Sequence, residues 1–471
     1  AMLAIRGGSL RLIPWISHSP ISRNTPRAAC SAVFWRQMSV VTAAGEVQGK
    51  NLTRRARPIV PKKVVVITKT TRYEDESMRI SRKPFNQLTE AEVKVVDSVL
   101  ARQGFNVAAC RDSHEQQTTA LKTIRDTLKR RGIDVEVVTS GERFTSMYSD
   151  EEQREGGSGS RYSESTFAEG SGGISMALLE SGKAQHYDFC ISAGGDGTFL
   201  RASLGITGTV PLIGINTDPT RSRGRLCTTT ADGLERLLTK MEAGDFEWQK
   251  RHRVQVSLRS IGSDSKRGRI LRHCALNEVF VGERDPCRAS VLKVSCDGGK
   301  WDRHKCSGLI VATGTGSSAW IKEASTVTPQ DCVDVLRGLV SLHGDDAVSR
   351  DIHKILTSPD GLDAGAVASE TNMRLAEDRL APEDHRLQML VREPILPSGD
   401  ISAGSCIWKG FDALHADIEE VESGHHPSRR SLVRRLVVSS VGSDAQLVLD
   451  GRVWVPLERG MEAVLETSEE H

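Results

Sequence analysis

The feature that most constrains this 471-residue chain is an apolar run that breaks into glycine. Tyr187-Asp188-Phe189-Cys190-Ile191-Ser192 is followed, after Ala193, by Gly194-Gly195-Asp196-Gly197-Thr198. A short apolar run bounded by such a turn suits a strand buried on both faces, the environment of a parallel sheet covered by helices. In open α/β sheets ligands bind outside the carboxyl ends of the strands, where this turn would sit. Glycines let the backbone approach a phosphate and offer it N–H groups. Asp196, placed among them, would bind Mg²⁺ or take a proton from a hydroxyl nucleophile. The plainer alternative is a tight strand-to-helix turn with Asp196 or Thr198 as the helix cap.

The surrounding chain carries the same grammar. Lys63-Val64-Val65-Val66-Ile67-Thr68 reads as a buried strand, and Leu88, Ala91, Val95, Val96, Val99 and Leu100 recur at helical spacing before Gly104. A second helix from about Gln116 to Arg131 leads into Ile133–Val138; strand, helices, strand implies a parallel sheet. The sheet continues at Val210–Ile215, and an amphipathic helix occupies the region of Ala231–Met241. From Arg253 onward the runs are short and alternating (Val254–Leu258, Glu278–Val281, Val291–Val294), the pattern of antiparallel strands. We therefore expect an α/β domain over 59–245 and a β-rich domain over 246–471. A Gly/Ser-rich flexible insert at 144–173 and polar inserts near 358–385 and 397–430 lie outside the cores.

Composition matters at the amino end. The net charge of +2 divides unevenly: residues 1–58 hold nine basic side chains and one acidic, a local +8, leaving 54 basic against 60 acidic, or −6, elsewhere. Apolar residues interleave with those arginines, as in an organelle transit peptide, so 1–58 is read as a mitochondrial address; a disordered basic tail or nucleic-acid-binding arm is the alternative. No run of 18 apolar residues is present, so no membrane insertion is expected, and 4% aromatic content leaves little for nucleic-acid stacking. The ten cysteines include no Cys-x-x-Cys. The cluster His273-Cys274, Cys296, His304 and Cys306 fits no familiar zinc spacing and is read as core.

Further motifs fall at strand ends. Gly214-Ile215-Asn216-Thr217-Asp218-Pro219 follows the next apolar strand, and Asn277-Glu278 opens another. Gly308–Ala312 runs into Thr313-Gly314-Thr315-Gly316-Ser317-Ser318-Ala319-Trp320, a second glycine-rich turn. Alone, Asn277-Glu278 could be a hydrogen-bonded strand start, and Asp450-Gly451 a hairpin turn. Lys69 and Arg72 after the first strand, with Arg221, Arg223 and Arg225 after Asp218, are candidate phosphate-binding cations or solvated loop charges.

Taken in order, these motifs resemble the NAD kinases, and Thr68–Tyr73, Asn216–Pro219, Gly244–Trp248 and Arg392–Ile395 resemble the mitochondrial type. The resemblance implies a Rossmann-like parallel α/β domain, a following β-rich domain and an active site in the cleft between them. It implies phosphorylation of the adenosine ribose 2′-hydroxyl of NAD by ATP, with Mg²⁺ bridging phosphates, in a homodimer of the mitochondrial matrix. By position, Asp196 would be the catalytic base, and Gly194, Gly195, Gly197 and Thr198 would follow the phosphates. Asn216, Asn277 and Glu278 would meet the nucleotide, while Thr313, Thr315, Gly316 and Ser317 would shape the adenine and ribose pocket. Where many members read Asp, Pro and Tyr, this chain has Ser307, Gly314 and Trp320, and Ile321–Ser325 replaces the run usual after the second turn. A lipid or sphingoid-base kinase sharing Gly-Gly-Asp-Gly-Thr, and a catalytically silent NAD sensor, are the rival readings.

Overall fold

The computed structural model describes residues 2–4, 57–140, 187–206, 210–261, 268–343, 346–358, 363–377, 379–395 and 429–468. The Gly/Ser-rich insert, nearly all of 397–430 and most of the basic segment lie outside the described residues. Met2–Ala4 pairs antiparallel with Glu247–Gln249.

The first body is a five-stranded parallel sheet in the order β2-β1-β3-β4-β5, from β1 (Lys63–Lys69), β2 (Asp134–Ser140), β3 (Phe189–Ala193), β4 (Leu212–Asn216) and β5 (Thr229–Thr230). Its helices are α1 (Arg72–Ser81), α2 (Glu90–Arg102), α3 (Val107–Arg130), α4 (Asp196–Gly205) and α5 (Leu234–Glu242). Strand β1 shows why its run is continuously apolar. Val64 and Val66 pack with Ile124, Leu128 and Leu238, whereas Val65 and Ile67 pack with Phe199 and Ala202, so helices cover both faces. Capping boxes start two helices: the Thr71 and Thr89 hydroxyls each accept an N–H from the glutamate three residues on, and that carboxylate accepts the cap's own N–H. Helix α1 and the first turns of α3 extend beyond the helices expected from periodicity. Their starts are set by Thr71 and by Asn106, whose side chain accepts the Ala109 N–H, rather than by an apolar stripe.

The second body is a sandwich of two six-stranded antiparallel sheets. One runs β13-β12-β11-β8-β15-β16 and the other β10-β9-β14-β17-β6-β7. In chain order these are β6 (Val254–Ser260), β7 (Arg269–Ile270), β8 (Glu278–Glu283), β9 (Ser290–Cys296), β10 (Asp302–Cys306), β11 (Gly308–Ala312), β12 (Leu387–Arg392), β13 (Arg430–Val433), β14 (Arg435–Ser440), β15 (Ala445–Leu449), β16 (Val453–Pro456) and β17 (Met461–Thr467). Alternation decides the packing: Val254, Val256 and Leu258 turn inward while Gln255, Ser257 and Arg259 do not. The inner face includes Cys306, Cys296 packs beside it, and His273 bonds the Leu204 carbonyl through Nδ1 at 2.9 Å, so that cluster serves the core.

Between β11 and β12 the chain forms α6 (Trp320–Glu323), α7 (Pro329–His343), α8 (Ala347–Thr357) and α9 (Ala364–Glu377). The polar stretch at 358–385 therefore carries a whole helix, α9, within a larger helical excursion. The two bodies are joined by direct contacts. Leu204 of α4 belongs to the sandwich core, and the Arg253 guanidinium donates to the carbonyls of Ile206 (3.0 Å) and Ser203 (3.4 Å).

Candidate active site

Strand β3 ends at Ala193, the Gly194 N–H donates to the Ile215 carbonyl at 3.0 Å, and Gly195 starts α4 without a side-chain cap. The three glycines have different reasons. A Cβ on Gly194 would lie 2.3 Å from Thr198 Oγ1, and one on Gly195 2.6 Å from Ser222 Oγ. One on Gly197 would meet nothing within 4 Å beyond its own chain neighbours and helix backbone, and Gly197 lines a cavity. Asp196 occupies the first turn of α4. Its Oδ1 accepts the Leu226 N–H at 2.8 Å and its Oδ2 the Arg225 N–H at 3.1 Å.

That pair of donors comes from the loop after β4, and the loop is built by Asn216. Its Oδ1 accepts the Asp218 N–H (3.1 Å), and its Nδ2 donates to the Ser222 carbonyl (3.0 Å), packed against Gly224, whose φ is +56°. Asn216 thus holds the loop that holds Asp196. Gln117 of α3 ties three strand ends together, donating to Thr68 Oγ1 (3.0 Å) and the Ala193 carbonyl (3.1 Å) and accepting from Thr217 Oγ1 (2.6 Å). Sequence reasoning missed it, since a lone glutamine on a helix carries no motif.

A cavity of about 650 Å³ opens in front of Asp196. Lys69, Arg72, Gly195, Gly197 and Thr198 line it, as do Arg201 of α4 and Arg452 of the hairpin between β15 and β16. Arg221 and Arg223 are not among the lining residues. Arg221 is drawn off by Asp218, at 2.9 Å, and by Asp112 on α3, and it lines a neighbouring cavity with Phe105. Burial works against the Asp218 carboxylate, but hydrogen bonds from Arg221 and Thr220 hold it below the usual carboxylate range. Arg201 had a legible signal: on a helix it stands four residues after Gly197 and so shares its face.

On the sandwich side Asp450 does the corresponding work. Its backbone is left-handed (φ 46°), and its buried carboxylate accepts N–H groups from Leu276 (2.7 Å), Asn277 (2.8 Å) and Glu278 (3.1 Å). The Asp450 N–H returns to the Glu278 carbonyl at 3.0 Å. Asp450-Gly451 is thus more than a hairpin turn: it fixes the backbone from which Asn277 and Glu278 project. Glu278 Oε2 is buried without a hydrogen-bond partner. Burial first, and the Asp450 charge second, push the Glu278 carboxyl up to about 8, so it holds a proton at neutral pH.

The second glycine-rich turn closes over this strand start. Thr313 Oγ1 donates to the Leu276 carbonyl (2.6 Å) and accepts the Gly316 N–H (3.1 Å). Thr315 Oγ1 accepts from the Arg251 guanidinium (3.0 Å), and Ser317 Oγ donates to the Gly314 carbonyl (2.7 Å). A Cβ on Gly316 would sit 2.0 Å from the Asn277 carbonyl oxygen, and one on Gly314 1.8 Å from that of Ala381. The second clash gives a physical reason for Gly where many similar chains carry Pro: the backbone after the helical excursion lies directly on the turn. Trp320 packs on Phe280 (5.3 Å between centroids) under the Arg392 guanidinium (5.2 Å), and Ser307 donates its N–H to the Arg392 carbonyl (3.1 Å). The Arg225 guanidinium donates to the Ser318 carbonyl at 3.3 Å, so the loop that holds Asp196 touches the turn beside Asn277.

A sequence model of the ATP-NAD kinase N-terminal domain matches residues 64–220. NAD kinase 2, mitochondrial, of Rattus norvegicus is 30% identical over 369 residues, covering 71% of this chain and 74% of the relative. The protein of the same name from Homo sapiens is 30% identical over 369 residues, covering 71% of each. The chain belongs to the NAD kinase family. A crystal structure of an NAD kinase from Archaeoglobus fulgidus in complex with ATP aligns with a TM-score of 0.41 at 17% identity, over 87% of this chain and 91% of that one. Within this NAD kinase the loop that holds Asp196 meets the turn beside Asn277 through the Arg225–Ser318 hydrogen bond, but Asn277, Glu278, Thr313 and Thr315 are not among the residues lining the Asp196 cavity, and Ser317 lines a separate one.

Proposed function

We propose that this protein transfers the γ-phosphoryl group of ATP to the adenosine ribose 2′-hydroxyl of NAD, giving NADP and ADP. One observation carries this reading: the carboxylate of Asp196, held by two backbone N–H groups of a loop that also touches the turn beside Asn277, stands in a cavity whose lining includes Lys69, Arg72, Arg201 and Arg452 together with Asp75 and Glu76. The ribose oxygen attacks the γ-phosphorus, the bond to the β-phosphate bridging oxygen breaks, and the hydroxyl proton passes to Asp196. Such transfer rests on positioning and charge neutralisation more than on covalent chemistry by the protein. Magnesium, when bound with ATP, supplies charge neutralisation between phosphates. The donor set fits a metal arriving on its nucleotide, since Asp75, Glu76 and Asp196 line the cavity without forming a ligand cluster among the described residues. Asn277 and protonated Glu278 address the nucleotide hydroxyls, and Thr315 and Ser317 bound the adenosine side. Lys69 and Arg72 take the donor phosphates.

We place the enzyme in the mitochondrial matrix as a homodimer, on the +8 amino segment and the mitochondrial relatives for the first and on the family resemblance for the second. The working division is an address over 1–58, an α/β domain over 59–245 and a β-rich domain over 246–471. The test is NADP production from NAD, ATP and Mg²⁺, read with an NADP-specific dehydrogenase. Asp196→Asn should lower turnover by on the order of 10²–10⁴, the scale of general-base loss, with nucleotide binding retained. Phosphorylation of diacylglycerol or sphingosine without NADP would instead identify a lipid kinase, and binding without turnover a sensor.

A further inference from the structure

The second glycine-rich turn borders a cavity of its own, of about 220 Å³. Ser317 lines it from the turn and Gln388 from β12, with Lys322, Arg379 and Arg430 around them and no carboxylate in the lining. Lys322 pairs with the exposed Glu323 at 3.1 Å, and Arg430 donates to the Ser325 carbonyl at 2.9 Å. Burial first, and the Arg225 charge second, pull the Arg379 guanidinium below its usual range, while Glu323 acts the other way. Three cations lining one concavity favour an anion there.

Gln388 supplies a second observation. Its Oε1 is buried without a hydrogen-bond partner among the described residues, as is Glu278 Oε2. The ladder links the two: Glu278 lies opposite Ala312, and Ala312 opposite Gln388. Directly opposite residues share a face. Their neighbours Val279, Val311, Leu387 and Met389 fill the sandwich core, so Glu278 and Gln388 stand on the outer face. They are two strand spacings apart, roughly 10 Å, with only the small Ala312 between them. A buried acceptor without a donor is costly, and a ligand hydroxyl in the cavity would remove that cost.

We infer that NAD lies along this row, with its diphosphate among Lys322, Arg379 and Arg430 and a sugar hydroxyl beyond it donating to Gln388. The inference rests on the kinase reading above and adds to it a diphosphate subsite outside the glycine-rich motifs. Lys322 sits in α6 and Arg379 just after α9. The segment that replaces the run usual after this turn, and the helices that follow it, thereby take part in recognition. Guanidinium groups suit the task because their fork of N–H donors binds phosphate oxygens bidentately.

Steady-state kinetics, with competition by adenosine, which lacks the diphosphate, test the placement. Arg379→Gln should raise KM for NAD about tenfold, the scale of one charge-assisted hydrogen bond, while KM for ATP stays within about twofold. Inhibition by adenosine, competitive with NAD, should keep its wild-type constant, and Arg379→Lys should recover part of the loss. Gln388→Met separates recognition from structure. Removing an unpaired buried oxygen at similar volume should hold or raise the melting temperature while KM for NAD rises. Should Arg379→Gln melt early, Gln388→Met carries the test. Equal weakening of NAD and adenosine, or a KM for NAD that neither variant moves, would overturn the placement and leave the kinase reading standing. A wild-type protein that makes no NADP yet binds NAD, with Arg379→Gln weakening NAD and sparing adenosine, would do the reverse.

Discussion

The two halves of the site are assembled on opposite plans. On the α/β side the Asp196 cavity is built largely from backbone: glycines at the start of α4 and two N–H groups clasping Asp196, with charged side chains around an open volume. On the sandwich side the Asn277-Glu278 face is fixed by a buried side chain. Asp450 reaches back 174 residues in sequence to the Leu276 N–H, and Glu278 is kept protonated by burial. A local turn can move with its loop; a buried long-range clasp cannot. The sandwich half should therefore be the fragile one and the α/β half the tunable one.

Asp450→Ala is the largest blow expected to that contrast. It orphans three buried N–H donors, at about 1–3 kcal/mol each where no water replaces the carboxylate. Thermal melting should drop steeply. A melt close to wild type would show that the clasp is dispensable and that the two halves are alike. Gly316→Ala should act in the same direction, because its Cβ would strike the Asn277 carbonyl oxygen, a backbone atom that cannot swing aside.

Gly197→Ala probes the other half and should separate stability from activity. Its φ is not left-handed and an added Cβ meets nothing within 4 Å beyond its own chain neighbours and helix backbone, so the loss of chain freedom in the unfolded state should stabilise the fold by about 0.4–1 kcal/mol. The same methyl intrudes into the cavity beside Asp196, and KM for ATP should rise. If melting temperature and KM(ATP) both stay unchanged, Gly197 does not face the donor.

The contrast also governs what could be read from sequence. The α/β half was legible because its chemistry is contiguous: an apolar strand, then Gly-Gly-Asp-Gly-Thr, with helix periodicity on either side. The cations were harder to read: nothing in a run of loop arginines says that Arg221 is claimed by Asp218 and Asp112, or that Arg452 of a distant hairpin lines the cavity, whereas Arg201 follows from helix spacing. In the sandwich half the strands were visible, but the clasp was not. Asp450 reads locally as half of a turn, and its role exists only once β15 lies beside β8. The helices α7 and α8 went unread because they leave much apolar surface uncovered, with Leu342 83% and Val335 63% exposed. A stripe that does not face a core gives no guide to where a helix ends.

The finest discrimination between the halves is by pH. Glu278 has an ordinary carboxyl value of 4.5 and stands at about 8 in the fold, so between those values the native state holds a proton that the unfolded chain has released. Stability from this group is complete below 4.5 and declines as pH rises towards 8, because the unfolded state binds fewer protons throughout that window. Glu278→Gln should flatten that portion of the stability profile. Function should follow with its own signature: above about 8 the ionised Glu278 lies beside ionised Asp450 and loses its hydroxyl donor, so KM for NAD should climb while KM for ATP does not. An unchanged KM(NAD) through pH 9, or a matching rise in KM(ATP), would mean that the buried carboxyl is not what addresses the acceptor. In Glu278→Gln, whose amide cannot ionise, the alkaline rise should disappear although binding is weaker at every pH.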